Sequence, residues 1–100
     1  MGFIVTIRFK GDPKKAHRVL RDNPELYKAV HDGIYEHGLV RCWRYVGDGE
    51  FLDVDEWPSE DERNSFMAAH KEDIAEWVRL SGITAEETRT WRTADEDEVF

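Results

Sequence analysis

Hydrophobic and polar residues alternate strictly at the start of the chain. One set of alternating positions holds only large apolar residues: Phe3, Val5, Ile7 and Phe9. A period of two in β-branched and aromatic residues predicts a strand with one buried face. The next residues predict a turn into a helix, with Asp12 as its N-cap and Pro13 in its first position.

A helical pattern of apolar residues follows and extends to about His37. Asn23-Pro24 interrupts it, because proline lacks a backbone donor and disfavours helix at the preceding residue. We expect a kink there or two helices, the second capped by Asn23. Gly38 is a helix stop. Leu39 to Val46 and Glu50 to Trp57 then predict two strands, joined by a Gly/Asp turn that favours antiparallel pairing.

Ser59 begins a second helix, because Ser59 with Glu62 three residues later matches a capping box. This helix carries an apolar stripe at helical spacing and ends at Gly82. Thr84 to Thr93 predicts a fourth strand. The order is therefore β-α-β-β-α-β, which predicts an α+β, ferredoxin-like fold: a four-stranded antiparallel sheet with two helices on one face. Residues 1–94 form this single domain, and residues 95–100 form an acidic tail.

The sheet face that the helices leave open is predicted to mix aromatic and charged residues. Strand alternation gives a plausible set: Ile4, Thr6, Arg8, Leu39, Arg41, Trp43, Tyr45, Phe51, Asp53, Asp55, Arg89 and Trp91. An aromatic patch of this size on a monomer marks an interaction site. The arginines opposite Asp53 and Asp55 suggest pairing across a two-fold axis. We expect a homodimer interface that includes Arg8, Arg41, Trp43, Asp53, Asp55 and Trp91; the alternative is a solvated sheet with local ion pairs.

Charge and cysteine content narrow the function. The 100 residues carry a formal net charge of −8, which argues against a nucleic-acid partner. The single cysteine, Cys42, excludes a disulfide framework and multi-cysteine metal sites, and we expect it to be a buried, inert thiol. The four histidines show no metal-ligand spacing. No signal peptide or membrane segment is recognisable, so we expect a cytoplasmic protein without a membrane partner.

The sequence resembles the antibiotic-biosynthesis-monooxygenase-like proteins of the dimeric α+β barrel superfamily. The resemblance covers residues 3–93 and is most specific where the strand ending Val54-Asp55-Glu56-Trp57 leads through Pro58-Ser59-Glu60 into a helix bearing Phe66-Met67-Ala68-Ala69-His70. It implies a homodimer and a pocket between sheet and helices. Members of the superfamily include cofactor-free monooxygenases on polycyclic phenols, polyketide cyclases and haem-degrading enzymes.

His70 is the leading catalytic candidate, because it lies on the apolar stripe of the second helix, four residues from Phe66 and from Ile74. An imidazole there serves either as a general base or as a buried structural histidine. We expect Trp57 and Tyr27 to position an aromatic ring. The substrate would also contact His31, Phe66 and Tyr35, with Tyr27, His31 and Tyr35 forming one row on the first helix; the alternative is a solvated helix flank.

These residues predict a cofactor-independent monooxygenase acting on an aromatic or polyketide-type small molecule. Three alternatives remain: a polyketide cyclase with the same base, a non-catalytic ligand-binding dimer, and a haem-binding or haem-degrading protein. In the haem alternative, the resemblance makes His70 the axial ligand after an Ala-Ala pair. However, Thr6, Arg63 and Asn64 stand where haem degraders carry other residues.

Overall fold

The computed structural model describes residues 2–99 and contains the predicted sheet. Its four strands are β1 (Phe3–Lys10), β2 (Arg41–Val46), β3 (Glu50–Trp57) and β4 (Thr84–Arg92). They lie in the order β2-β3-β1-β4, and each neighbouring pair is antiparallel. This is the ferredoxin-like arrangement, and the predicted fold class is confirmed. Met1 and Phe100, at the outer ends of the predicted domain and tail, lie outside the described residues.

The first helical region is broken into several pieces. It comprises α1 (Pro13–Asp22), α2 (Pro24–Tyr27), a π-helical segment (Lys28–Asp32) and α3 (Gly33–Glu36). Asp12 caps α1 as predicted, since its carboxylate accepts a hydrogen bond from the Lys14 amide at 2.9 Å. Asn23 occupies the predicted N-cap position of α2, but its side chain makes no cap hydrogen bond there. Its side-chain amide instead donates to the Val19 carbonyl at 2.6 Å, so it serves the end of α1.

The long helix α4 (Glu60–Ser81) has the predicted ends and one unexpected feature. Ser59 is its N-cap, and Gly82 ends it in the left-handed conformation at φ 67°, which glycine adopts without strain. Within the helix, His70 departs from helical geometry at φ −125° and ψ 18°. The helix is therefore kinked at the residue that the sequence singled out.

The acidic tail contains a short fifth helix, α5 (Glu96–Val99). The Arg92 guanidinium donates to both carboxylate oxygens of Glu98 at 2.6 Å, which ties this turn to the end of β4. Within residues 2–99, no helix is both long enough and apolar enough to cross a membrane.

The core lies between the helices and the two central strands. One cluster joins Phe9, Ala16, Phe51, Trp77 and Ile83, and a second joins Val5, Leu39, Trp57 and Phe66. The indole nitrogen of Trp77 donates to the Ala16 carbonyl at 3.0 Å and so joins α4 to α1. Burial of these large side chains stabilises the helix layer on the sheet.

The register of β3 corrects the predicted composition of the open face. Phe3 pairs with Trp57 and Phe9 with Phe51, so the odd-numbered residues of β3 lie on the same side as the buried residues of β1. The placement of Phe51, Asp53 and Asp55 on the open face is therefore wrong. Both aspartates are 7% exposed and lie beneath the helices. The open face receives Leu52, Val54 and Glu56 instead.

Leu39 also lies elsewhere than predicted. Strand β2 begins at Arg41, and Leu39 precedes it as a core residue that packs with Val5 and Trp57. Leu39 lies under the helices and precedes the first residue of β2. The alternation of strand residues therefore does not determine which way Leu39 points.

The arginines of the open face have partners within their own chain. Arg8 lies 3.5 Å from Glu50, Arg41 lies 3.0 Å from Glu56, and Arg89 lies 3.2 Å from Glu87. The predicted pairing of these arginines with Asp53 and Asp55 is therefore wrong, because the aspartates occupy the opposite face. Arg8, Arg41, Trp43 and Trp91 do lie on the open face, and the indole of Trp91 donates to the Thr6 hydroxyl at 2.9 Å.

Candidate functional site

A cavity of about 280 Å³ lies between the helices and the sheet. Its walls are largely apolar and aromatic: Ile7, Phe9, Leu20, Val30, Ile34, Leu39, Trp57, Phe66, Met67, Ile74, Trp77, Val78 and Ala85. Its polar lining consists of His31, Tyr35, Cys42, Arg44, Asp53, Asp55, Arg63 and Thr88. An apolar cavity with a few convergent polar groups is typical of small-molecule sites, although this one is slightly below their usual range of about 300–1,000 Å³.

Two of the predicted aromatic contacts form one wall of the cavity. Trp57 is the last residue of β3 and is 1% exposed, while Phe66 projects from α4 and is 4% exposed. Their ring centroids are 5.7 Å apart. The alternation of β3 directs Trp57 inward, and the helical stripe of α4 directs Phe66 toward it. This wall offers flat apolar surface to a planar ligand.

His31 and Tyr35 line the cavity from the π-helical segment and α3. The His31 ring stacks on Tyr27 at 4.4 Å and lies 5.5 Å from Tyr35. Its Nδ1 is 3.0 Å from the Asp32 carboxylate, which accepts a hydrogen bond from it. Tyr27 lies outside the cavity lining and contacts it only through His31. The expectation that Tyr27 positions the substrate directly is wrong.

His70 also lies outside the cavity lining, contrary to its predicted role. Its Nδ1 donates to the Asp73 carboxylate at 3.1 Å, and its ring meets His37 edge-on at 5.5 Å. On the other side it packs against Gly33 so closely that a Cβ there would lie 2.9 Å from Nε2. The kink of α4 thus places His70 against α3, where it fills the helix layer. This packing matches the structural histidine that the sequence offered as the alternative to a base.

The same geometry bears on the haem alternative. An axial ligand must present a free ring nitrogen to the haem, and Nε2 of His70 faces the backbone of Gly33 rather than the cavity. The residues present therefore do not fit a haem held by His70 in this cavity.

The principal acid–base candidate of the cavity is Asp55, two residues before the end of β3. Burial raises the pKa of Asp55 from its ordinary value of 3.8 to about 6. Hydrogen bonding from the Cys42 thiol lowers this pKa, the negative charge of Asp53 raises it, and the positive charges of Arg44 and Arg63 lower it. A carboxyl group in apolar surroundings with a pKa near neutrality is suited to general acid–base chemistry.

Asp53 has a different environment from Asp55 although it lies two residues away on the same face. The guanidinium of Arg44 donates to its two oxygens at 2.6 and 2.8 Å. The same guanidinium stacks over the ring of Phe51 at 4.5 Å. This bidentate pair neutralises Asp53, so Asp55 is left as the carboxyl group of the cavity without a direct ion pair among residues 2–99.

Cys42 departs from the predicted buried thiol. The residue as a whole is exposed on the edge strand β2, and it lines the cavity beside Asp55. Desolvation of the thiol, followed by the neighbouring charge of Asp55, raises the pKa of Cys42. A thiol with a raised pKa is not a nucleophile at neutral pH, so its predicted inertness is consistent with its environment.

One signal in the sequence points to Asp55 and Asp53. Both residues have the same strand parity as Trp57, which was itself assigned to the pocket. Side chains that alternate along one strand share a face, so placing Trp57 inside places both aspartates inside as well. Arg44 and Arg63 carry no such signal, because their approach to the cavity depends on strand pairing and helix docking.

Comparison with known proteins supports the fold. No protein-family model and no curated protein sequence matches the chain significantly. Among solved structures, it is similar to SnoaB, a cofactor-independent oxygenase from Streptomyces nogalater, with 13% identity, 94% of each chain covered and a TM-score of 0.66. It is also similar to an antibiotic biosynthesis monooxygenase, with 18% identity, 93% of this chain and 99% of that chain covered and a TM-score of 0.62.

A third similar structure is a dimeric ferredoxin-like protein from an uncultured marine organism. It has 11% identity, covers 96% of this chain and 97% of its own, and has a TM-score of 0.66. At these identities the likeness establishes the ferredoxin-like fold that antibiotic biosynthesis monooxygenases share.

Proposed function

We propose that this protein is a cofactor-independent monooxygenase that acts on a small aromatic or polyketide-type molecule. The observation that carries the proposal is Asp55, a carboxyl group with a pKa of about 6 in a largely apolar and aromatic cavity of about 280 Å³. Such a site can hold a planar substrate and remove one proton from it.

Asp55 would act as the base. At neutral pH it is mostly ionised, and its conjugate acid is strong enough to return the proton later. Loss of a proton from an activated CH₂ group leaves an electron-rich anion that O₂ can oxidise. A C–O bond then forms, Asp55 returns the proton to give a substrate hydroperoxide, and loss of water leaves a carbonyl. One oxygen atom ends in the product and the other in water, so O₂ is the sole oxidant.

The walls of the cavity suit this chemistry. Trp57 and Phe66 would hold the ring system, and Tyr35 and His31 are exposed residues of the lining. Water is poorly accommodated by such walls, which strengthens the electrostatic influence of Asp55 on a bound anion. SnoaB, which has the same fold, is a cofactor-independent oxygenase.

The proposal is tested by oxygen consumption with a hydroxylated anthrone, whose CH₂ group would become a carbonyl. We expect one O₂ consumed per quinone formed, and an Asp55→Asn loss of turnover by roughly 10²- to 10⁴-fold. His70→Gln is the matched comparison, because His70 lies outside the cavity lining, and it should keep most of the activity.

Two results would contradict this assignment. Loss of activity in His70→Gln with retention in Asp55→Asn would make His70 the base, as the sequence alone suggested. Conversion of a polyketide mimic without oxygen consumption, if dependent on Asp55, would identify a cyclase that uses the same base for an aldol closure.

We further propose that two copies of the chain associate through the open face of the sheet. Trp43, Tyr45 and Trp91 are 40%, 60% and 48% exposed there, which leaves an unusually large aromatic surface in contact with water. The fold neighbour from the marine organism is dimeric. Sedimentation should give twice the mass of the chain, and Trp43→Asp should shift it to the monomer. Leu80→Ser, which changes an exposed apolar residue on α4, should not.

A further inference from the structure

We propose that the ligand of the cavity is an aromatic acid whose carboxylate is bound by Arg63. The inference rests on the proposed function for the identity of the site and adds the chemical class of its substrate.

Arg63 is a cation that lines the cavity and has no ion-pair partner among the described residues 2–99. It lies in the first turn of α4 and is half-buried. Within residues 2–99, its guanidinium takes part in none of the side-chain hydrogen bonds and in no ion pair shorter than 4.0 Å. Arg44, the other cation of the lining, has both oxygens of Asp53 within 2.8 Å. The cavity therefore contains one neutralised guanidinium and one that is still available.

A guanidinium binds oxyanions in a bidentate manner, and a carboxylate is the oxyanion already bound this way in the cavity. Its planar set of donors matches the two oxygens of a carboxylate, as the Arg44–Asp53 pair shows in the same cavity. A charge-assisted pair of this kind is stronger when it forms beside apolar walls than in water. Trp57 and Phe66 supply an aromatic wall of the same cavity, so the ligand that satisfies both surfaces is a planar ring system bearing one carboxylate.

Binding of a carboxylate by Arg63 would also affect Asp55, the proposed base. Arg63 is close enough for its positive charge to lower the pKa of Asp55. A bound carboxylate would neutralise Arg63 and add a negative charge near Asp55, so both effects raise that pKa toward neutrality. Binding should therefore be accompanied by partial proton uptake, and the bound state would contain a stronger base.

The experiment compares 2-naphthoate with its neutral analogue 2-naphthamide by isothermal titration calorimetry at pH 7. Two buffers of different ionisation enthalpy report the protons taken up. We expect naphthoate to bind wild type at least tenfold more tightly than naphthamide. Arg63→Met should weaken naphthoate binding by roughly tenfold to a hundredfold and leave naphthamide binding unchanged. Asp55→Asn should abolish the proton uptake.

Arg18→Met is the matched control for net charge. Arg18 is exposed on α1 and lies outside the cavity lining, so its loss should not change the preference for naphthoate. Arg63→Lys keeps the charge without the planar donor set and should restore part of the preference.

Each result has a distinct consequence. Equal binding of the two ligands to wild type, or a preference that survives in Arg63→Met, would overturn the assignment of Arg63 but leave an aromatic site consistent with the proposed function. Failure of both ligands to bind would overturn the inference and count against the aromatic site as well. Because binding is measured without turnover, these results are independent of the oxygen assay.

Discussion

The two faces of the sheet contain similar kinds of residues in different surroundings. Each face combines aromatic side chains with an arginine–carboxylate pair, Arg44–Asp53 under the helices and Arg41–Glu56 on the open side. The side chains of the first pair are 31% and 10% exposed, whereas those of the second are 60% and 21% exposed. Both pairs come from the same two neighbouring strands, β2 and β3.

Coverage by helices, rather than residue type, separates the two faces. Under α1 and α4, the carboxyl group of Asp55 loses its hydration and acquires a pKa near 6. On the open face, Glu56 remains partly hydrated beside an exposed arginine, where an ion pair contributes little to stability. One face is thus suited to chemistry and the other to association.

The largest expected difference concerns the aromatic residues of the two faces. Phe51 is 1% exposed and stacks on Phe9 at 5.0 Å, while Tyr45 on the open face is 60% exposed. Phe51→Ala should lower the free energy of unfolding by about 3–5 kcal/mol, because it leaves a cavity in the core. Tyr45→Ala should cost under about 1 kcal/mol of monomer stability. Urea unfolding of both variants at low concentration checks this, and equal losses would contradict the assignment of the two faces.

The pH dependence of stability sharpens the comparison. The folded-state pKa of Asp55 is raised from 3.8 to about 6, so the folded protein holds a proton that the unfolded chain has lost. The protonated carboxyl group of Asp55 therefore stabilises the folded state relative to its ionised form. This contribution to the free energy of unfolding is fully present below about pH 4 and is lost as the pH rises through about 6. At neutral pH, the shift in the pKa of Asp55 corresponds to a loss of up to about 3 kcal/mol in the free energy of unfolding. Cys42, Asp53, Arg44 and Arg63 are the titratable and charged groups that act on this carboxyl group.

Asp55→Asn should therefore be more stable than wild type at pH 7 and lack the loss of stability between pH 4 and pH 6. Urea unfolding across that range measures both effects. Glu56→Gln is the control from the same strand on the open face, and it should retain the pH dependence. An Asp55→Asn variant that is less stable than wild type at pH 7 would contradict the desolvation of Asp55. A gain in stability with a loss of activity is typical of active-site carboxylates.

The smallest expected difference in stability is between variants that break the two ion pairs. Asp53→Asn leaves the partly buried guanidinium of Arg44 without its paired carboxylate. This change should lower the free energy of unfolding by about 2 kcal/mol. Glu56→Gln leaves Arg41 in solvent and should cost under about 1 kcal/mol. Thermal unfolding in low and high salt distinguishes them further, since salt screens only the exposed pair strongly. Equal costs would show that the helices do not shield Asp53.

Much of the fold was predictable because its signals are local. Alternation in β1, the Gly/Asp turn before β3, the Asp12 and Ser59 caps and the Gly82 stop each depend on residues a few positions apart. Such patterns act through backbone geometry and hydrogen bonding within a single element. The predicted strand Glu50–Trp57 accordingly matches β3 at both ends.

The candidate site was predicted less completely. Trp57, Phe66, His31 and Tyr35 line the cavity as expected, because strand parity and helical spacing both direct them inward. Tyr27 and His70 do not, although the same helical spacing favoured them. The π-helical segment changes the rotation of the helix after Tyr27, and the kink at His70 turns its ring toward Gly33. Neither irregularity has a clear local signal.

Local patterns in the sequence were enough for the four strands, the starts of α1 and α4, the Gly/Asp turn, and which residues of one strand share a face. Only the tertiary structure decided which of the two faces of β3 the helices cover, because alternation is symmetric and pairing with β1 breaks that symmetry. That choice moved Asp53 and Asp55 from the open surface to the cavity. Their surroundings then separated them, since Arg44 neutralises Asp53 while burial raises the pKa of Asp55. Hydration and proximity of charges arise when distant elements pack together, so no local pattern of residues encodes them.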